Sequence, residues 1–311
     1  MLQHFSHNPA LLAANLSIEL AKRSDSLDLT ELQHISNVIH VAVSSSVYTT
    51  RAKHLLSKPL RDRNLPIAGN DWRKVGIGLY AIWQNMTPEQ IETRMAELAK
   101  GQEGKWRATF PDDYDIDEAK LLALYQSSGQ LQANGIHAWN DLSLALRFWV
   151  AEVLAKRVRA NGAFDWGGSD GVSCTFLRHH GATGVELIEP NQAARDFCTW
   201  FNPQLGFHDI KTHEKPTPGK QYDVGVCTEV LEHVVNPPKM CREIHDMLVP
   251  GGVCFITSSF TPTQDTHLKQ NLKYRGKENE LIMSAGLKPW QPPMSPPVPM
   301  TPQWAFWQRP G

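Results

Sequence analysis

The sequence predicts an α/β fold in its second half, a parallel sheet covered by helices on both faces, behind a mainly helical first half. Three observations carry this prediction. From Ala163 onward, short apolar runs alternate with helical stretches, the pattern of strands joined by crossover helices. The first half instead carries helix-start and helix-stop signals. Between its first strand and first helix, the second half holds a glycine-rich bend, Gly167-Gly168-Ser169-Asp170-Gly171.

Along the first half, Pro9 to Arg23 spaces leucine, isoleucine and alanine as a helix does. Asp28 and Glu31 form a capping box for a second helix through Ile39. Thr87-Pro88-Glu89-Gln90 is the clearest start: threonine caps, proline fits the first turn and glutamine reaches back, with Gly101 as the expected stop. Asp115 to Tyr125 reads as another helix. Trp139 to Arg157 reads as the last, with Leu142, Leu146, Trp149 and Val153 on one stripe.

In the second half the order is AFDW, VSCTFLRHH, TGVELIE, NQAARDFCTWF, YDVGVCT, PPKMCREIHDML and GGVCFITSSF, strand and helix by turns. KENELIMSAG then makes a helix stopped by glycine. PWQPPMSPPVPMTP makes a stiff proline-rich connection, and QWAFWQR makes an aromatic strand.

Composition bounds the partners. The 311 residues carry a net charge of -1, which argues against a nucleic-acid backbone as partner, since that demands a basic excess. No apolar run approaches the roughly 20 residues of a membrane helix, and the N-terminal stretch lacks the pattern of a signal peptide. Five cysteines without a C-x-x-C pair read as reduced, mostly buried thiols of a cytoplasmic protein.

The bend after AFDW carries the chemistry. Glycines there let the chain turn tightly and let a ligand come close. The helix start at Gly171 offers free N–H groups to an anionic group. A dinucleotide fingerprint would need glycine where Trp166 stands, and Asp170 would disfavour a pyrophosphate. A ligand with an ammonium, a carboxylate and a sulfonium tolerates such carboxylates, and S-adenosylmethionine is one. The second strand ends at Glu189, placed to accept hydrogen bonds from ribose hydroxyls, with Glu186 as the alternative. A third segment, Tyr222 to Val234, leaves a strand at the sheet's carboxyl edge, where open α/β folds bind ligands.

DWGGSDG, YDVGVCTEVLEHV and REIHDMLVPGG, in this order, resemble motifs of the class I S-adenosylmethionine-dependent methyltransferases, in their small-molecule branch with enzymes of quinone-biosynthesis type. The resemblance runs from about Trp139 to the C-terminus. It implies a Rossmann-like, doubly wound, mostly parallel seven-stranded sheet with an antiparallel edge strand as residues 139–311. Residues 1–138 are then a helical lid, substrate-binding or dimerisation domain. It further implies that Gly167, Gly168, Ser169 and Gly171 line the methionine end of S-adenosylmethionine. Asp165 orders the loop or meets the ammonium group, Glu189 holds the ribose, and Thr228 and Glu229 lie near sulfonium and substrate. The adenine partner stays open between Asp209 and Thr212. Ser169 replaces a commoner glycine.

His233 is a candidate base, since histidine titrates near neutrality. His179, His180, His213 and His245 show no metal-ligand spacing, so no metal is expected. Arg51, Lys53, Lys58, Arg61, Arg63, Arg73 and Lys74 make the first half locally basic, as solvated surface or as a site for an anionic acceptor. The expected activity is methyl transfer to an oxygen or nitrogen of a small molecule by in-line displacement. The alternatives are an RNA or protein methyltransferase and a non-catalytic protein with the same fold.

Overall fold

A computed structural model describes residues 47–65, 72–110, 116–127, 141–261, 266–292 and 304–311. The helices expected over Pro9–Arg23 and up to Ile39 lie outside these residues, as does most of the proline-rich run.

Residues 47–56 are helical, followed by α1 (Lys58–Asp62), α2 (Trp72–Gln84), α3 (Pro88–Thr109), α4 (Glu118–Ser127) and α5 (Asp141–Ala155). Helix α3 starts as its sequence dictates. The Thr87 hydroxyl accepts from the Gln90 N–H at 3.3 Å and the Gln90 side chain accepts from the Thr87 N–H at 2.8 Å, so two orphan donors are satisfied reciprocally. It does not stop at Gly101 but continues to Thr109. One interior glycine costs only about 1 kcal/mol relative to alanine, and Trp106 and Phe110 beyond it are buried. Helix α4 begins at Glu118 rather than Asp115, because the Asp117 carboxylate caps the Lys120 N–H at 2.8 Å.

The second half follows as β1 (Ala163–Trp166), α6 (Val172–His179), β2 (Val185–Ile188), α7 (Gln192–Gln204), β3 (Lys211–His213), β4 (Tyr222–Thr228), α8 (Pro237–Met247), β5 (Leu248–Thr257), α9 (Glu278–Ser284), β6 (Lys288–Trp290) and β7 (Trp304–Gln308). The seven strands order as β3-β2-β1-β4-β5-β7-β6. Strands β1 to β5 run parallel, and β7 lies antiparallel between β5 and the edge strand β6. The expected doubly wound sheet is therefore present, with its reversed strand one place in from the edge. Pro289 and Trp290, read from sequence as part of a loop, belong to β6. A proline is tolerated there because an edge strand leaves one side of its backbone unpaired.

Side-chain alternation sends each strand's residues to two cores. Ala163, Val224, Val226, Val253, Phe255 and Phe306 face α5, α6 and α7. Phe164, Cys227, Cys254, Ile256 and Trp307 face α8 and α9. All five cysteines are buried and unpaired. Asp223 anchors the start of the sheet. One of its oxygens accepts from the N–H groups of Arg159, Asn161 and Gly162 at 2.7, 2.9 and 3.2 Å. Despite partial burial, these bonds hold its carboxyl below the usual range.

Candidate active site

The parallel strands end together at Trp166, Ile188, Thr228 and Thr257. The loops leaving that edge build one site. The Gly167 N–H donates to the Ile188 carbonyl at 2.8 Å, closing the bend after β1 onto β2. Gly167 and Gly171 sit at φ +71° and +76°, which side-chain-bearing residues rarely adopt. Space is also short: a Cβ at Gly167 would come within 2.6 Å of a Val230 methyl, and one at Gly168 within 2.1 Å of the Asp165 carboxylate. Ser169 takes a left-handed φ of +52°, so the position that the family commonly gives to glycine keeps the glycine conformation.

Asp165 is fully buried, and neither of its oxygens finds a donor in hydrogen-bond geometry. Burial pushes its carboxyl up to about 7, against the favourable charge of Arg147. Glu189 lies just past β2. Its oxygens accept from the Ser169 N–H at 3.0 Å and the Asn191 N–H at 2.9 Å. These bonds link the first bend to the second, and burial still raises the carboxyl to about 7. The alternative Glu186 has another task. It takes hydrogen bonds from Lys220 and, at 2.6 Å, from the Tyr222 hydroxyl, so that it stays ionised despite burial. Of the two adenine candidates, Asp209 is held by the Arg178 guanidinium at 2.9 and 3.0 Å, and Thr212 lies within β3.

Thr228 ends β4, half-buried, and pairs with Thr257. Glu229 follows, exposed and at φ +55°, with its N–H bonded to the Thr257 carbonyl at 2.9 Å. A short 3-10 turn, Leu231–His233, comes next. The His233 Nδ1 lies 2.9 Å from the Thr266 carbonyl, and burial lowers its pKa to about 4. The ring is therefore neutral at pH 7 with Nδ1–H as donor, and as an unaided base it is weak.

Sequence reasoning missed two parts of this edge. Tyr125 on α4 roofs it: the tyrosine hydroxyl donates to the His233 carbonyl at 3.3 Å, and its own carbonyl accepts from Asn191 at 2.7 Å. His267 meets His233 edge to face at 4.9 Å. Neither carries a local motif; only the folded chain brings them in. The basic run does not join them. Arg51 pairs with Glu152 at 3.7 Å near the end of α5, and Lys58 reaches the Gln204 carbonyl at the end of α7. Both lie at the opposite edge of the sheet.

Residues 138–286 match the sequence model of a family described as a methyltransferase domain. Among curated relatives, the chain is 27% identical over 151 residues to a ubiquinone biosynthesis O-methyltransferase of Bordetella avium, covering 47% of this chain and 61% of the relative. It is 28% identical over 163 residues to the enzyme of the same name from Escherichia coli, covering 48% and 64%. The matched region thus spans about three fifths of the length of these relatives. A solved S-adenosylmethionine-dependent methyltransferase from Mesorhizobium loti superposes with a TM-score of 0.38 at 15% identity, covering 52% of this chain and 98% of that one. The glycine bend, the acid past β2, the seven-strand order and the family match coincide on one segment: over residues 138–286 the chain carries a domain of the class I S-adenosylmethionine-dependent methyltransferase family.

Proposed function

We propose that the protein is an S-adenosylmethionine-dependent methyltransferase that moves a methyl group to an oxygen or nitrogen of a small molecule, with oxygen favoured. The observation that carries the proposal is Asp165, a buried carboxylate with no donor at bonding distance, beside glycines whose missing side chains keep the bend open. An unpaired buried carboxylate is costly unless a ligand completes it. The ammonium of the cofactor's methionine end is such a ligand, so the residues present fit the group. The choice of oxygen rests on the printed names of the relatives.

The bound cofactor supplies an activated methyl group on a good leaving group. The chain supplies the rest. Asp165 and the bend from Gly167 to Gly171 hold the amino-acid end, Glu189 accepts from the ribose, and Thr228 and Glu229 border the acceptor. Alignment and exclusion of water are the main demands of an in-line displacement. The helical segment before residue 139 serves as the lid: Tyr125 on α4 binds both the His233 and Asn191 loops. No described helix is long and apolar enough to cross a membrane, and the acceptor proposed is a small molecule rather than a nucleic acid.

Calorimetry with S-adenosylmethionine tests the cofactor site. The parent binds one equivalent, and Gly167→Val binds at least tenfold more weakly while keeping its melting temperature within a few degrees of Gly167→Ala. Equal affinity in parent and Gly167→Val would place the cofactor elsewhere. An acceptor screen with methyl-labelled cofactor, read by mass analysis of product, then identifies the atom methylated. No heat and no thermal shift with cofactor would favour a non-catalytic protein.

A further inference from the structure

Beside the cofactor bend lies a group of side chains that methyl transfer by alignment alone does not use. One ligand atom each from Glu232, His233 and His267 lies within 4.8 Å of the others. Ligands around one divalent ion at about 2.1 Å stand roughly 3 to 4 Å apart, so a contraction of about 1 Å would bring all three to bonding distance.

The hydrogen bonds around the group define which atoms are free. His233 Nδ1 lies 2.9 Å from the Thr266 carbonyl, and His267 Nδ1 lies 2.9 Å from the Thr261 carbonyl. A carbonyl only accepts, so each Nδ1 carries the hydrogen and each Nε2 presents a lone pair. This is the backing that orients metal-binding histidines. Glu232 is fully buried; one oxygen accepts from the Ser259 N–H at 3.1 Å, and the other has no donor. Two imidazole lone pairs and a bare carboxylate oxygen thus converge with no hydrogen between them. In a cluster built only for packing, a donor would stand in that gap. The backbone is braced as well. The Glu232 carbonyl accepts from the Leu268 N–H at 3.0 Å and from Asn271 at 3.3 Å, and Asn271 also holds the Val234 carbonyl at 2.8 Å.

We infer that Glu232, His233 and His267 form a binding site for one divalent cation of the zinc or manganese type. Two imidazoles and a carboxylate suit such borderline ions better than the all-oxygen sites of calcium or magnesium. Glu229 stands exposed at the mouth, three positions before Glu232, and is placed to close the set while leaving positions for solvent or substrate. The absence of ligand spacing among the other histidines is thus no guide here, because His267 comes to His233 only through the loop that follows β5.

The consequence for chemistry rests on the methyltransferase proposal above. A cation here would take the hydroxyl of an oxygen acceptor and ease its ionisation. The hydroxyl proton passes to water, the oxygen forms its bond to the methyl carbon, the carbon–sulfur bond breaks, and sulfur keeps the electron pair. The acceptor class is accordingly a hydroxylated small molecule, and two adjacent hydroxyls would fill two open positions at once.

The test uses the full chain, stripped with a chelator and dialysed. Titration with zinc or manganese chloride by calorimetry, and manganese by electron paramagnetic resonance, should show one equivalent bound at micromolar or tighter affinity. Glu232→Gln and His267→Gln should each weaken it by at least tenfold, with circular dichroism unchanged and S-adenosylmethionine still bound. Absence of one-to-one binding by either metal would overturn the site, as would unchanged affinity in both variants. If a variant misfolds, manganese-induced broadening of histidine ring signals in the parent decides: broadening confined to other histidines overturns the site. Cofactor titration of the stripped parent separates the two proposals, since a missing cofactor response counts against the methyltransferase alone.

Discussion

At the scale of single residues, Asp165 sets stability and binding against each other. Its carboxyl titrates near 7 in the folded chain, whereas an exposed aspartate titrates near 4. The folded state therefore holds the proton more tightly, and ionisation destabilises it progressively as pH rises from about 4 to 7. Asp165→Asn removes that penalty but also removes the charge proposed to meet the ammonium group. The variant should unfold at higher denaturant than the parent at pH 8, by at most about 4 kcal/mol, with the gain shrinking towards pH 4.5. It should bind S-adenosylmethionine at least tenfold more weakly at pH 8. Parallel urea titrations at several pH values, with calorimetry at pH 8, check both signs; a variant that is both less stable and equally avid refutes the assignment. The residues that were legible in the sequence are those with local signatures. The bend from Asp165 to Gly171 announces itself because tight turns demand glycine and the helix start follows at once. Glu189 could be placed by its distance from the bend. His267 and Tyr125 could not, since their neighbours belong to other loops and no spacing rule links them.

At the scale of elements, strong end signals were legible and weak interruptions misled. The Thr87 box was readable because four adjacent residues satisfy each other without tertiary help. Thr87→Ala should cost about 1 kcal/mol, seen as a lower urea midpoint with an unchanged slope. Its start is exposed and remote from the proposed ligands, so cofactor affinity should stay the same; a change above twofold would mean that α3 responds to the cleft. Gly101 misled because one glycine only taxes a helix, whereas burial of Trp106 and Phe110 rewards continuation. These two side chains pack with Ile116, Leu121 and Leu268, so the end of α3 is held by the same loop that carries His267. Strands β3 and β6, three residues each, give too short a pattern for alternation to show. The antiparallel entry of β7 between β5 and β6 was implied by resemblance, not by periodicity, because strand direction leaves no mark on a short apolar run.

At the scale of the whole molecule, the first-half helices and the sheet share a core. Tyr80 of α2 stacks on Phe197 of α7 at 4.2 Å between ring centres and 11° between planes, and Trp83 meets the same ring edge-on at 5.4 Å. Leu56, Leu60, Val75 and Leu79 belong to the cluster that contains Val185, Leu187 and Phe255 of the sheet. A division at residue 138 would therefore cut through packed apolar surface, although the cofactor motifs all lie after it. Phe197 is fully buried, and truncating such a ring costs about 3 to 5 kcal/mol. Phe197→Ala should lower stability by that amount and loosen both halves together, because the lost ring belongs to each. Far-ultraviolet circular dichroism and tryptophan fluorescence should then report one coincident melting transition, shifted down in the variant. Two separated transitions, with only the helical one shifted, would show that the halves fold independently. Coincidence matters for function as well: Tyr125 reaches both the His233 and Asn191 loops from the helical side, and such a roof can orient those loops only while the helices beneath it stay docked on the sheet.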